Sequence, residues 1–294
     1  MPSLEDLLVR SIPELRKMFV EARRAVPKGL LEALECDPRH GAQQLAKRLR
    51  DRYRSNRSEG QRLHTLLRFE LELWDQGYSF IAGVDEAGMA PLAGPVVAGA
   101  VILPKNYKLR GLNDSKKILD ETKREELATQ IKQDAVCWSV GMADVGEIDR
   151  LNIYHAGLLA MQRAFQNLTC RPDFVLVDAR KIPNCSSPQR GIIHGDALSA
   201  TIAAASLIAK TTRDSHMLEL DQIYSGYGFA SHKGYPTPEH CRALKSLGAL
   251  PIHRRSFTRV REALGLDPIQ AELFDTSELS SETGSEPLHT VAIA

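Results

Sequence analysis

Excess charge of either sign is missing from this chain. Against 38 Lys and Arg stand 37 Asp and Glu over 294 residues, a net charge of +1, so only a local basic surface could attract a polyanion. Cysteine is scarce and scattered: Cys36, Cys137, Cys170, Cys185 and Cys241 show no Cys-x-x-Cys spacing. That excludes the usual zinc frameworks and fits reduced thiols in a cytoplasmic protein. No apolar run approaches the roughly 18 residues of a membrane span, and Met1-Pro-Ser-Leu-Glu-Asp6 lacks the features of a secretory signal. What is present, 43% hydrophobic and 26% charged residues, suits one large globular domain with an appendage and no membrane.

Residues 1–78 are rich in Leu, Arg, Glu and Ala and interrupted by Pro13, Pro27, Pro38 and Gly60. Leu7, Leu8, Ile12, Leu15, Met18 and Phe19 approximate one helical stripe, and Leu63, Leu66, Leu67, Leu71 and Trp74 another. A small helical bundle is expected. Between the stripes runs Lys47-Arg-Leu-Arg-Asp-Arg-Tyr-Arg-Ser-Asn-Arg57, which reads equally as a solvated face or as phosphate contact.

From Tyr78 the periodicity changes. Phe80 to Val84, Val96 to Leu103, Val136 to Ala143, Phe174 to Asp178 and Gly191 to Gly195 read as strands. Helices are expected over 123–134, 151–168, 197–217 and 238–247, which makes 79–266 an α/β domain with a sheet covered on both faces. Residues 267–294 carry acids, Ser, Thr and Pro but no Lys or Arg, the composition of a disordered tail.

Within the α/β domain a single stretch concentrates chemistry. The run Ile81-Ala-Gly-Val breaks at Asp85-Glu86 into Ala-Gly-Met-Ala-Pro-Leu-Ala-Gly-Pro95, and a second apolar run follows. Gly83-Val-Asp-Glu-Ala-Gly88 with Pro91-Leu-Ala-Gly-Pro95 resembles the signature of ribonuclease HII. Asn113-Asp-Ser-Lys-Lys117, Leu176-Val-Asp178, Ala203 to Asp214 and Tyr227 to Tyr235 are similar to later blocks of that family, in its order. The resemblance spans about Gly77 to Val260, and the leader is similar to a helical extension found in some bacterial members.

The resemblance implies a ribonuclease H-like mixed sheet of about five strands. It also implies Asp85, Glu86, Asp178 and Asp214 as metal-binding catalytic acids for Mg²⁺ or Mn²⁺, since two-metal phosphodiester hydrolysis needs several converging carboxylates. Asp196, before Ala197, has a sufficient role as a helix N-cap and stands outside this set. Gly88, Met89, Ala90, Asn113, Ser115, Lys116, Lys210 and Tyr235 are the implied substrate contacts, to RNA/DNA hybrid and to DNA containing ribonucleotides.

Where the family carries Gly-Arg-Gly, this chain has Gly88-Met89-Ala90. Weakened preference for a single ribonucleotide at an RNA-DNA junction is expected, because Met89 has neither charge nor donor. Two alternatives are a catalytically weak nucleic-acid-binding relative and ribonuclease HIII, whose usual appendage is β-rich. In the tail, Gln270, Leu273 and Phe274 match a short peptide that docks on the replication sliding clamp. The protein is read as a monomer.

Overall fold

In a computed structural model of the chain, residues 4–266 are described. The leader forms α1 (Leu4–Leu8), α2 (Ile12–Arg16) running into a π-helical turn (Lys17–Glu21), α3 (Leu30–Cys36), α4 (His40–Leu66) and α5 (Arg68–Asp75). Ser11 and Glu14 form a capping box that starts α2 at the interruption around Pro13. Gly60 does not stop α4, which runs unbroken for 27 residues. Its first half contributes Ala42, Leu45, Ala46 and Leu49 to a leader core with Leu7, Leu15, Phe19, Leu30 and Leu34. Leu63 and Leu66 at its other end join Trp74 and Leu73 in the core beneath the sheet.

The sheet holds β1 (Ile81–Ala87), β2 (Val96–Ile102), β3 (Cys137–Ala143), β4 (Phe174–Asp178) and β5 (Gln189–Ile192) in the order β3-β2-β1-β4-β5. β1 is antiparallel to β2 and parallel to β4. The remaining helices are α6 (Glu121–Asp134), α7 (Val145–Leu151), α8 (Ile153–Gln166), α9 (Gly195–Leu198), α10 (Ala200–Ile223), α11 (Phe229–His232), α12 (Pro238–Leu247) and α13 (Thr258–Ala263). The last short strand therefore lies two residues earlier than its apolar pattern suggested, and the Ala-rich helix begins only at Ala200.

Helices cover both faces. On one, Ile81, Val101 and Leu176 pack with the Ala-rich side of α10; on the other, Ala82, Val84, Val175 and Val177 pack with α8. This double burial explains why β2 reads Val-Val-Ala-Gly-Ala-Val-Ile without alternation. α10 lies so close that a Cβ at Gly83 would enter the Thr201 backbone, and one at Gly99 would enter Ala205. Glu70 of α5 fixes the start of α10. It is fully buried, accepting from Thr201 N at 2.9 Å and from the Ser199 and Thr201 hydroxyls at 2.6 and 2.8 Å. Burial nonetheless pushes the Glu70 carboxyl pKa up, the hydrogen bonds opposing it only in part.

Candidate active site

Strand register assembles the acids. Val84 pairs with Val177 in the parallel β1–β4 ladder, so the next residues, Asp85 and Asp178, leave the sheet side by side. Each lies two residues beyond a position on the α10 face, Gly83 and Leu176, and so points to that face. Asp178 Oδ1 accepts from Gly195 N at 2.7 Å, which seats the first turn of α9 beside it and brings in Asp196. One carboxylate oxygen from each of Asp85, Asp178 and Asp196 lies within 4.8 Å of the others.

Asp214 is not brought into this group. Its Oδ1 meets Lys210 Nζ at 2.7 Å, one helical turn away, and Oδ2 lies 3.9 Å from Arg124. Two cations already answer its charge in this structure, and it lies outside the group that Asp85, Asp178 and Asp196 form. Asp196 in turn is no N-cap: His194 precedes α9, and the side chain accepting at the start of α10 is Ser199. The expectation for these two residues is thus reversed, because the chain between β5 and α10 makes an extra turn that the sequence did not reveal.

Glu86 leaves β1 on the opposite, α8 side, since β1 continues without a bend through Ala87. There its Oε1 lies 3.4 Å from Arg180 Nη2, while its Oε2 is buried without a hydrogen-bond partner. Asp85 is 2% exposed, and its Oδ2 is likewise buried and unpartnered. Burial first, then the neighbouring charges of Glu86 and Asp178, push the Asp85 carboxyl pKa well above the usual range. Burial also raises Glu86, with Arg180 opposing, and raises Asp178, with the Gly195 amide opposing. Lys116 at the rim and Arg180 beside Glu86 answer this negative charge only in part. Orphaned oxygens of hard carboxylate donors fit a divalent cation such as Mg²⁺ or Mn²⁺, and Asp85, Asp178 and Asp196, with Glu86 at the edge, are the residues that would hold it.

The flanking loop supplies cations. Lys116 Nζ lies 3.4 Å from Asp196; burial acts to lower its pKa, but Asp196, Asp85 and Asp114 outweigh that and raise it. Ser115 is buried and shares a 2.8 Å hydrogen bond with Ser206 of α10, which anchors the loop. Asn113 and Lys117 instead line an adjoining cleft of about 390 Å³ with Arg62 and Arg68. Lys210 stands 5.6 Å from the Tyr235 ring, so these two expected contacts share one corner.

Two buried arginines build the loop between β1 and β2. Arg254 donates to the carbonyls of Gly88 (2.6 Å), Met89 (3.1 Å) and Gly94 (2.9 Å), and Arg213 to those of Ala93, Pro95 and Lys233. Gly88 has φ +95°, and a Cβ there would strike Arg213. The backbone of Gly88-Met89-Ala90 is therefore set from below. Met89 Sδ packs against Gly157 of α8 beside Arg180 Nη1, which is buried and unpartnered, and Ala90 is exposed. Arg254, which the sequence offers as a phosphate contact, is instead buried on the loop carbonyls; Asp196, Arg180 and Arg213 have no catalytic reading in the sequence, and of these only Asp196, a carboxylate following Gly195 just after β5, carried a signal that spacing could have caught.

Carboxylates at the adjoining ends of two central strands, capped by a helix and a lysine-bearing loop, define a metal-dependent endonuclease of the ribonuclease H-like class. Comparison with known proteins narrows this. The family model for ribonuclease HII matches residues 82–260, and that for the ribonuclease HII N-terminal domain matches residues 11–74; the chain belongs to the ribonuclease HII family. It is 62% identical over 288 residues to ribonuclease HII of Myxococcus xanthus, covering 96% of this chain and 98% of that one. To the enzyme of Anaeromyxobacter sp. it is 60% identical over 283 residues, covering 96% and 90%. The crystal structure of ribonuclease H2 from Pyrococcus horikoshii aligns with TM-score 0.54 and 26% identity, over 62% of this chain and 96% of that one. The helical leader and the family match set aside the ribonuclease HIII reading, which would have brought a β-rich appendage.

Proposed function

We propose that this chain, acting as a monomer, hydrolyses the RNA strand of RNA/DNA hybrids and ribonucleotides embedded in DNA, using two divalent ions, Mg²⁺ or Mn²⁺, held by Asp85, Asp178 and Asp196 with Glu86 at their edge. The observation that carries this is the convergence of Asp85, Asp178 and Asp196, the first and last of them buried, with one Asp85 oxygen left without a hydrogen-bond partner. The ions, when bound, supply Lewis-acid activation of a water and stabilisation of the leaving 3′ oxygen. The products carry 5′-phosphate and 3′-hydroxyl ends.

The protein's own groups position the substrate. Lys116 and Lys210 offer phosphate contacts on either side of the acids, and Tyr235, 36% exposed, offers a face for a sugar or base. Asp214 holds Lys210 in place. Asn113, Ser115 and Lys116 belong to one loop along the strand to be cut. Gly88, Met89 and Ala90 present their backbone to the 2′-hydroxyl side, but Met89 adds no charge there, so selection of a lone ribonucleotide is weak. Gln270, Leu273 and Phe274, the peptide proposed to dock on a sliding clamp, lie outside the described residues.

Cleavage of labelled substrates with Mg²⁺ or Mn²⁺ tests both levels. The unmodified protein should cut a long hybrid in its RNA strand and cut DNA carrying one ribonucleotide more slowly. Met89→Arg with Ala90→Gly should improve the second substrate relative to the first by about tenfold, the size of one charge-assisted contact. Absence of cutting with either metal would return the chain to the class of mere nucleic-acid binders. Equal, vigorous cutting of both substrates would refute the weakened junction preference.

A further inference from the structure

The middle of α4 touches neither core. Between Leu49, buried in the leader core, and Leu63, buried beneath the sheet, the helix crosses as a largely exposed bridge. Polar bridging helices gain little from packing, yet this one carries the basic run Lys47 to Arg57. Beside it opens a cleft of about 640 Å³ lined by Arg23, Arg24, Arg48, Arg52 and Arg110 with Tyr53, and no carboxylate of the described residues lines it. Arg52 is held by the Phe19 carbonyl and Arg110 by Asn56 Oδ1. The side chains of Arg23, Arg24 and Arg48 have no hydrogen-bond or ion-pair partner among the described residues. Tyr53, 43% exposed, offers an aromatic face among them. Like charges gathered without counter-charge oppose the fold unless a polyanion answers them.

A second cleft lies beside the acids. Arg62 and Arg68 line the smaller cleft with Asn113 and Lys117, whose floor is Ala197 and Leu198, next to Asp196. Loop residue Arg110 closes the gap by binding Asn56 of α4 at 2.9 Å. Glu59 also lies on this path, but Arg62 at 2.8 Å and the Gly111 amide at 2.9 Å already answer its charge, and its pKa is held down at about 2 by Arg62. With the charge of Arg62 answered by Glu59, Arg68 and Arg110 are the positive groups that lead from the second cleft to the arginine cleft.

We propose that the arginine cleft is a second nucleic-acid site, which grips the phosphate backbone of a bound duplex away from the point of cutting. The direction from the acids to the cleft rests on the nuclease reading; the binding itself does not. At 1.5 Å per residue, Arg48 and Arg62 are about 21 Å apart along α4. A duplex of about eight base pairs centred on the acids reaches about 14 Å to each side at 3.4 Å per pair, too short to enter the cleft. A duplex of about thirty pairs reaches it.

The test measures binding by fluorescence anisotropy in EDTA with hybrids of both lengths, across a salt series, for the full chain and for Arg23→Gln with Arg24→Gln and Arg48→Gln. Each phosphate contact adds about 0.9 to the slope of log affinity against log salt. The triple variant should therefore lose about 2 to 3 from the slope on the long hybrid, and about tenfold or more in affinity near 0.1 M salt. On the short hybrid, affinity and Mg²⁺-dependent cleavage should stay as they were. Arg48→Gln alone, at an exposed helical position, should remove about one unit of slope if the triple variant folds poorly. Unchanged slope and affinity on the long hybrid overturn the second site, even if an acidic peptide binds the cleft instead. Failure of the unmodified protein to cut the short hybrid would strike the nuclease reading and leave the binding result intact.

Discussion

Asp85 carries the site's electrostatic tension: its carboxyl is buried, one oxygen has no partner, and Glu86 and Asp178 press negative charge upon it. A carboxyl whose folded pKa stands above its unfolded value of about 3.9 favours the fold while protonated. That contribution is present below the unfolded pKa and is lost as pH rises through the folded one. At pH 7 without metal, Asp85 therefore opposes folding. Asp85→Asn should raise the melting temperature of the metal-free protein by a few degrees, on the order of 1–2 kcal/mol, and should abolish the further rise that Mg²⁺ gives the unmodified chain. Scanning calorimetry in EDTA and in Mg²⁺ measures both, and an unchanged or lower melting temperature for the variant in EDTA refutes this picture. At the same scale, Asp85 and Asp178 were legible in the sequence because each ends an apolar run at a strand tip. Asp214 misled because its ordered surroundings resemble a family block, although Lys210 four residues earlier is the spacing of a helical ion pair. Asp196 was hidden because a carboxylate ahead of an Ala-rich helix also describes an N-cap.

Among the elements, the central strands and α10 depend on glycines that only close packing explains. Gly83 faces Thr201 with no room for a methyl group, and Asp85 follows two residues later on the same face. Gly83→Ala should cost about 3 kcal/mol or more, the upper end of overpacking, and should shift Asp85 relative to Asp178, so that metal affinity falls along with the urea midpoint. A variant with unchanged midpoint and metal affinity would show that α10 yields freely. The strands were readable because double burial writes continuous Val, Ala and Ile runs. α4 was not readable as one helix: its apolar stripe lapses where it crosses between cores, and Gly60 gives a false stop. Glu70 could not be read either, since a carboxylate in an amphipathic helix gives no sign that it will be buried against the start of α10.

Over the whole molecule, leader and sheet are joined through α4, α5 and the loop from Arg110 to Lys117, so the proposed second site and the acids belong to one continuous framework. Net charge conceals the arginine cleft, because the balance of 38 bases against 37 acids averages it with acids elsewhere. The identity of the fourth acid decides the account. Calorimetric titration of Mn²⁺ into the unmodified chain, Asp196→Asn and Asp214→Asn reads it without any nuclease assay. Affinity should fall by more than about a hundredfold in Asp196→Asn, beyond the roughly 10–100-fold that loss of a supporting partner costs, and stay nearly unchanged in Asp214→Asn. The opposite order, with Asp214→Asn losing the metal and Asp196→Asn keeping it, would contradict the site described for this protein.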